Sequence, residues 1–194
     1  MDVTAVVEAA RVAERLAATL RDLTARGTAA SASPALTPQP AARSAPRTRV
    51  GPPPGLVTDT VAALDAMLRT RGVVLIVDGY NVSMRGWGDA APSDQRDRLV
   101  AALEALHLRL RCEVVVVFDG SDVEAVPARR RPGVRVVFSA ADEEADPVVL
   151  REVDALPPAA PVLVASSDRW VGDHAAELGA AVVSADTLLG VLRR

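Results

Sequence analysis

From Val57 to the last residue, short apolar runs alternate with longer stretches in which apolar residues recur every third or fourth place. The runs at 73–77, 114–118 and 162–165 are unbroken and dominated by Val, Ile and Leu. An unbroken β-branched run, unlike an alternating one, predicts a strand covered on both faces, hence a parallel sheet packed between helices. Two weaker runs, 134–138 and 181–183, predict further strands. Helices are expected between them: a short one capped by Asp59 and running through Leu68 to a stop at Gly72, then 93–110, 146–155, 169–178 and 185–193. Pro147 suits the first turn of helix 146–155 after an Asp146 cap, and Pro157-Pro158 ends it. The stretch between the first strand and residue 93 reads as a loop, as does 120–133. The alternation predicts one α/β sandwich with right-handed crossovers.

Upstream the pattern changes. Val6, Val7, Ala10, Ala13, Leu16, Ala17, Leu20 and Leu23 recur at helical spacing, which predicts an amphipathic helix over 3–26 that stops at Gly27. Residues 28–56 are mostly Ala, Ser, Pro, Thr and Gly, with Arg43, Arg47 and Arg49 and no acid. That composition predicts a disordered or polyproline-like linker. The expected organisation is an N-terminal helix at 1–27, a flexible Pro/Ala-rich linker at 28–56 and a folded domain at 57–194.

Composition narrows the chemistry. Apolar residues make up 49% of the chain but aromatics only 3%, so Val, Leu and Ala must fill the core. A net charge of −3 gives no global attraction to nucleic acid, and any polyanion must meet a local basic patch. Cys112 is the one cysteine, which excludes an internal disulfide and a cysteine-based zinc site. No segment is long and apolar enough to span a bilayer, and Asp2 and Glu8 do not suit a signal peptide, so a cytoplasmic location is expected. No GxGxxG follows the first strand, and no P-loop is present.

The candidate chemistry lies in four acids. Asp78, Asp119 and Asp168 each close or follow an apolar run, and Asp146 ends the acidic stretch Asp142-Glu143-Glu144-Ala145-Asp146. In a parallel sheet the carboxyl ends of the strands share one edge, where ligands bind. Carboxylates gathered there repel one another unless a cation sits among them. All-oxygen donors select a hard divalent ion, Mg²⁺ or Mn²⁺. Each acid also has a plainer reading: a turn residue for Asp78 and Asp119, a helix cap for Asp168, and a dipole-favoured N-terminal acid for Asp146. Asn81 is placed to orient Asp78, and Asp173 lies one helical turn beyond Asp168. His107 and His174 read as packed or surface residues.

These motifs, in this order from Val73 to Leu192, resemble the NYN domains of the YacP type, a branch of the PIN-like nucleases. The resemblance rests on Asp78-Gly79-Tyr80-Asn81 and then Trp87, on Phe118-Asp119-Gly120, on Gly133-Val134-Arg135-Val136-Val137-Phe138-Ser139, on Glu144-Ala145-Asp146 and on Ser166-Ser167-Asp168-Arg169. It implies a PIN-like three-layer sandwich and a metal-dependent ribonuclease centre. Asp78, Asp146 and Asp168 would be the metal carboxylates, with Asn81 and Asp119 beside them. The substrate would be RNA, free or ribosome-associated, with Mg²⁺ or Mn²⁺ as cofactor. One departure matters: Pro147 stands where many relatives carry a second acid, which leaves Glu143 or Glu144 as substitutes. An acidic centre needs basic groups to hold RNA. Arg129, Arg130, Arg131 and Arg135 are the first candidates, then Arg85, Arg96 and Arg169, with Trp87 as a surface for stacking a base. The alternative reading is a non-catalytic RNA- or ribosome-binding module on the same fold. A small-molecule phosphohydrolase is a third reading, without a phosphate loop or a matching nucleophile motif to support it.

Overall fold

The structure, a computed structural model, describes residues 47–120, 133–140 and 144–194. The expected helix at 3–26, most of the linker, the arginine run Arg129-Arg130-Arg131 and the acids Asp142 and Glu143 lie outside the described residues. In chain order the elements are α1 (Val61–Leu68), β1 (Val74–Asp78), α2 (Gly79–Trp87), α3 (Pro92–Leu110), β2 (Glu113–Phe118), β3 (Val134–Phe138), α4 (Ala145–Asp154), β4 (Val162–Ala165), α5 (Arg169–Glu177), β5 (Ala181–Val183) and α6 (Ala185–Leu192). The strands form one parallel sheet in the order β3-β2-β1-β4-β5.

The unbroken apolar runs are explained by two cores, one on each face. Val73, Leu75 and Val77 of the β1 region join Val114, Val116, Phe118, Leu163 and Ala165 on one face. There they meet Leu64 and Met67 of α1, Val82 of α2, Leu99 and Leu103 of α3, and Leu188 of α6. The intervening residues Val74, Ile76, Val115, Val117, Val162 and Val164 face the other way, onto Val148, Val149 and Val153 of α4 and Val171 and Ala175 of α5. Successive strand side chains point to opposite faces, so a strand covered on both sides must be apolar at every position. The result is the three-layer α/β sandwich expected of a PIN-like fold.

Three local expectations are corrected. The segment after β1 is not a loop but the helix α2. Its glycines suggested a break, yet Gly86 is where α2 approaches α6, since an added Cβ would lie 2.8 Å from Leu189. The buried Ser83 hydroxyl donates to Gln95 Oε1 at 3.4 Å and joins α2 to α3. Asp59 does not cap α1. Thr60 does, through its hydroxyl and the N–H of Ala63 at 3.3 Å. The Asp59 carboxylate instead accepts from the backbone N–H and hydroxyl of Ser184, at 2.8 and 3.0 Å. Asp146 does not cap α4 either. The helix starts one residue earlier, with Glu144 at the cap position, and Asp146 falls in the first turn with its carboxylate free of a capping bond.

The described fold begins ahead of Val57. Arg47 donates to four backbone oxygens at the ends of α4 and α5: Leu178 at 3.1 Å, Pro157 at 3.1 Å, Val153 at 2.7 Å and Leu156 at 3.3 Å. Carbonyls at and just beyond a helix C-terminus lack a full set of intrahelical partners, and a guanidinium supplies enough donors to serve several of them together.

Gly79 fixes how closely β1 and β2 run into the site. An added Cβ would lie 2.5 Å from the Phe118 ring and 2.5 Å from the Val117 carbonyl oxygen. Gly79→Ala is therefore expected to destabilise the domain by about 1–3 kcal/mol and to lower the melting temperature by roughly 2–10 °C. Gly51→Ala adds its Cβ where nothing lies within 4 Å and should leave the melt unchanged. Paired thermal melts check both.

Candidate active site

The strand order reverses at β1, whose neighbours are β2 on one side and β4 on the other. In open parallel sheets this is where a crevice opens beyond the carboxyl ends of the strands. Asp78 ends β1, Asp119 follows β2, Asp168 follows β4, and Asp146 stands in the first turn of α4. All four line one open cleft, together with Asn81, Tyr80, Met84, Glu144 and Ala145. No basic side chain is among these lining residues.

Asp78 is the deepest of the acids, only 5% exposed. Its Oδ1 accepts from the N–H of Asn81 at 3.3 Å, which caps α2. Its Oδ2 accepts from the Ser166 hydroxyl at 2.8 Å. Ser166 in turn accepts from the N–H of Asp168 at 3.0 Å. Asn81 closes the lacing: its Oδ1 accepts from the N–H of Ser167 at 2.9 Å. The ends of β1 and β4 are thus tied by two side-chain bridges, and the Ser167 hydroxyl extends the tie to the N–H of Ala185 at 3.0 Å.

Burial pushes the Asp78 carboxyl up to about 6, and the charges of Asp146 and Asp168 add to that, against the opposing bonds from Ser166 and Asn81. Asp146 is raised as well, by burial first and then by Asp168 and Glu144. Asp78 and Asp146 are thus both raised by the charge of Asp168, as a shared cleft requires. Asp168 serves the fold at the same time. Its Oδ1 accepts from the N–H groups of Trp170 at 2.7 Å and Val171 at 3.2 Å, so the helix-cap reading and the cleft position both hold. Near Asp119, Gly120 donates to the Ser139 hydroxyl at 3.0 Å, and an added Cβ there would lie 2.0 Å from the Ser139 carbonyl oxygen.

The basic and aromatic candidates are more scattered. Arg135 projects from the edge strand β3 and forms a two-pronged pair with Glu152 of α4, away from the cleft lining. Arg85 pairs with Asp186 at 2.9 Å, and the Arg96 guanidinium lies 5.8 Å over the Phe138 ring. Trp87 ends α2, packs partly buried against the first core and is not among the residues that line the cleft. Arg169 follows Asp168 with its side chain 93% exposed and a loose 3.5 Å approach to Asp173. Asp173 does not line the cleft. His107 is structural: its Nδ1 lies 2.7 Å from the Cys112 carbonyl, and an added Cβ on Gly133 would lie 2.0 Å from its ring.

In the sequence Ser166 stands out only as part of the motif Ser166-Ser167-Asp168-Arg169, and its bond to Asp78 is not foreseen there. The available signal was its place directly after β4, next to the end of β1. Sequence reasoning also passed over Trp170, the aromatic ring left 47% exposed beside Asp168.

The donor set in the cleft is oxygen only, which suits a hard divalent cation. Among the described residues, however, no three Asp, Glu, His or Cys side chains are gathered tightly enough to hold one ion.

The profile of the YacP-like NYN domain matches residues 75–194. The chain belongs to that family. Its fold is a PIN-like nuclease fold. The NYN domain is similar to the crystal structure of Rae1 (YacP) from Bacillus subtilis, at 28% identity and a TM-score of 0.53, over 62% of this chain and 73% of that one. A tryptophan-to-leucine mutant of the same Bacillus protein gives 28% identity and a TM-score of 0.52, over 62% and 74%. No curated protein sequence matches the chain.

The raised Asp78 carboxyl sets a pH dependence. Its folded pKa of about 6 exceeds the ordinary 3.8, so the folded state favours the protonated form. The associated stability is fully present below about pH 4 and is lost as pH rises through 6. Asp78→Asn removes that titration. Without metal, the mutant should gain on the wild type between pH 4 and 7, by at most about 3 kcal/mol at neutral pH. Denaturant titrations of both proteins across that range measure the gap. A gap that does not change with pH would show that Asp78 is not held against its charge.

Proposed function

We propose that this NYN domain is a metal-dependent endoribonuclease that hydrolyses RNA phosphodiesters in the acidic cleft. The observation that carries the reading is the shared cleft at the reversal of strand order, where Asp78 lies with Asp119, Asp146 and Asp168 and its carboxyl is raised by burial first and then by Asp146 and Asp168. Asp78, Asp146 and Asp168 line one cleft with no basic side chain among its described lining residues, so their grouping supports a role in holding a cation. The family supports the nuclease class.

In this reading Asp78, Asp146 and Asp168 hold Mg²⁺ or Mn²⁺, with Glu144 as a further acid in the same lining. The chemistry a bound divalent cation supplies is electrostatic: it lowers the pKa of water and stabilises charge on the phosphate in flight. The chain's own residues do the rest. Ser166 and Asn81 fix the Asp78 carboxylate from both oxygens, so it does not rearrange when charge arrives. Asn81 ties the β1 end to Ser167 and keeps the floor of the cleft rigid. Asp119 stands at the β2 side of the cleft, where it can orient the attacking water. No histidine lines the cleft, so proton transfer falls to water and carboxylate. RNA is held by basic residues, with Arg129, Arg130 and Arg131 as the main group.

Purified protein incubated with single-stranded and structured RNA tests this. Cleavage is expected with Mg²⁺ or Mn²⁺ and none with EDTA. Asp78→Asn and Asp168→Asn should each slow it about a hundredfold or more, a loss of roughly 2.7 kcal/mol at the transition state. Mg²⁺ should raise the melting temperature of the wild type and not that of Asp78→Asn. RNA that is bound but left intact under both metals would instead make the chain a non-catalytic RNA-binding module. Changing Arg129, Arg130 and Arg131 together to Ala should weaken RNA binding and flatten its dependence on salt, because fewer counterions are released. An unchanged salt slope would place the binding face elsewhere.

A further inference from the structure

Of the two Trp, one Tyr and two Phe in the chain, four are drawn into the interior. Phe118 is fully buried, and Tyr80, Trp87 and Phe138 pack partly buried against the first core. Trp170 is different. It sits in the first turn of α5 with 47% of its surface exposed, while Val171 and Ala175 take the inward positions of that helix. Its backbone N–H donates to Asp168 Oδ1 at 2.7 Å, so its place is fixed relative to a carboxylate of the cleft. Its ring lies against the His174 imidazole, with centroids 4.2 Å apart and planes tilted by 35°. His174 is itself anchored. Its Nδ1 lies 2.8 Å from the Trp170 carbonyl oxygen, and since a carbonyl only accepts, Nδ1 carries the proton. The indole is therefore held in place before any ligand arrives.

We propose that Trp170, backed by His174, is the surface on which a base of single-stranded RNA stacks beside the cleft, with Arg169 meeting the adjoining phosphate. This rests on the ribonuclease reading and names how the substrate is held there. Three features carry it. An exposed indole adds nothing to the core, and its π-face is the surface a nucleobase uses. Arg169, next in sequence, is 93% exposed and only loosely paired with Asp173 at 3.5 Å, a screened contact that a phosphate can displace. Among the described residues no cation lines the cleft, and the exposed Arg169 next to Asp168 is placed to meet a polyanion there. A flat ring beside a guanidinium binds any base without reading hydrogen-bond edges, so the platform confers a preference for unpaired RNA rather than for sequence. Trp170 is a positioning residue in this account, since it touches a base and not the reacting phosphorus.

The test uses a short single-stranded oligoadenylate in EDTA, with inorganic polyphosphate as a base-free control. Oligoadenylate is expected to quench the tryptophan emission of the wild type and not that of Trp170→Phe, whose remaining Trp87 is packed against the core. Polyphosphate should quench neither. Trp170→Ala should weaken binding of the labelled oligonucleotide about tenfold, equivalent to about 1.4 kcal/mol, and Trp170→Phe should restore most of it. In Mg²⁺ the loss should appear in KM rather than in kcat. Equal binding by wild type and Trp170→Ala, with unchanged emission, would overturn the platform and leave the ribonuclease reading intact. Quenching without any cleavage would keep the platform and overturn the ribonuclease reading. Binding by neither protein would remove both.

Discussion

The Asp78 carboxylate ends the central strand, buried, with Asp146 and Asp168 near enough to raise its proton affinity. Among the described residues no basic side chain lines the cleft to offset that charge. A buried acid in this position is unfavourable unless it is hydrogen-bonded from the protein side and neutralised from the open side. The protein side is answered by Ser166 and the Asn81 N–H, one for each carboxylate oxygen. Meeting that need also ties the β1 end to the β4 end, because Ser166 and Asn81 both reach across from one strand end to the other. The rigidity of the cleft floor is thus a by-product of housing one charge.

The layers were legible in the sequence because burial on both faces leaves no freedom at strand positions. Val73 to Val77 and Val114 to Phe118 have to be apolar throughout, and no helix of globular length reads that way. The edge location of Asp78, Asp119 and Asp168 follows from the same rule, and so does their meeting in one cleft. What escaped the sequence depends on tertiary approach. Helix α2 contains Gly79 and Gly86, residues of a type that ordinarily weakens helices, and these two are explained only by Phe118 and Leu189 pressing close. The exchange of Asp59 for Thr60 as a cap is decided by Ser184, more than a hundred residues away. Trp87 and Trp170 look alike in sequence, each beside a glycine-containing polar stretch, and only the packing sends one inward and the other out.

The shift of the α4 start by one residue has a chemical effect out of proportion to its size. Had Asp146 capped the helix, its carboxylate would have been committed to backbone N–H groups. Placed in the first turn instead, it faces the cleft and Asp168. Pro147 follows Asp146 in the same first turn, where its missing N–H costs the helix no internal bond. Asp168 meets the same demand differently, capping α5 with one oxygen while lining the cleft.

Arg47 has a mechanical consequence. The N-terminal turns of α4 and α5 carry Asp146 and lie against Asp168, whereas the carbonyls that Arg47 grips belong to the opposite ends of these two helices. A pull on the chain ahead of Arg47 therefore enters the domain through the far ends of α4 and α5. It would be borne by four hydrogen bonds sheared side by side, about a helix length from the carboxylates. The load thus falls on the far ends of the helices that carry the acids and not on the hydrogen bonds that lace Asp78 to Ser166 and Asn81.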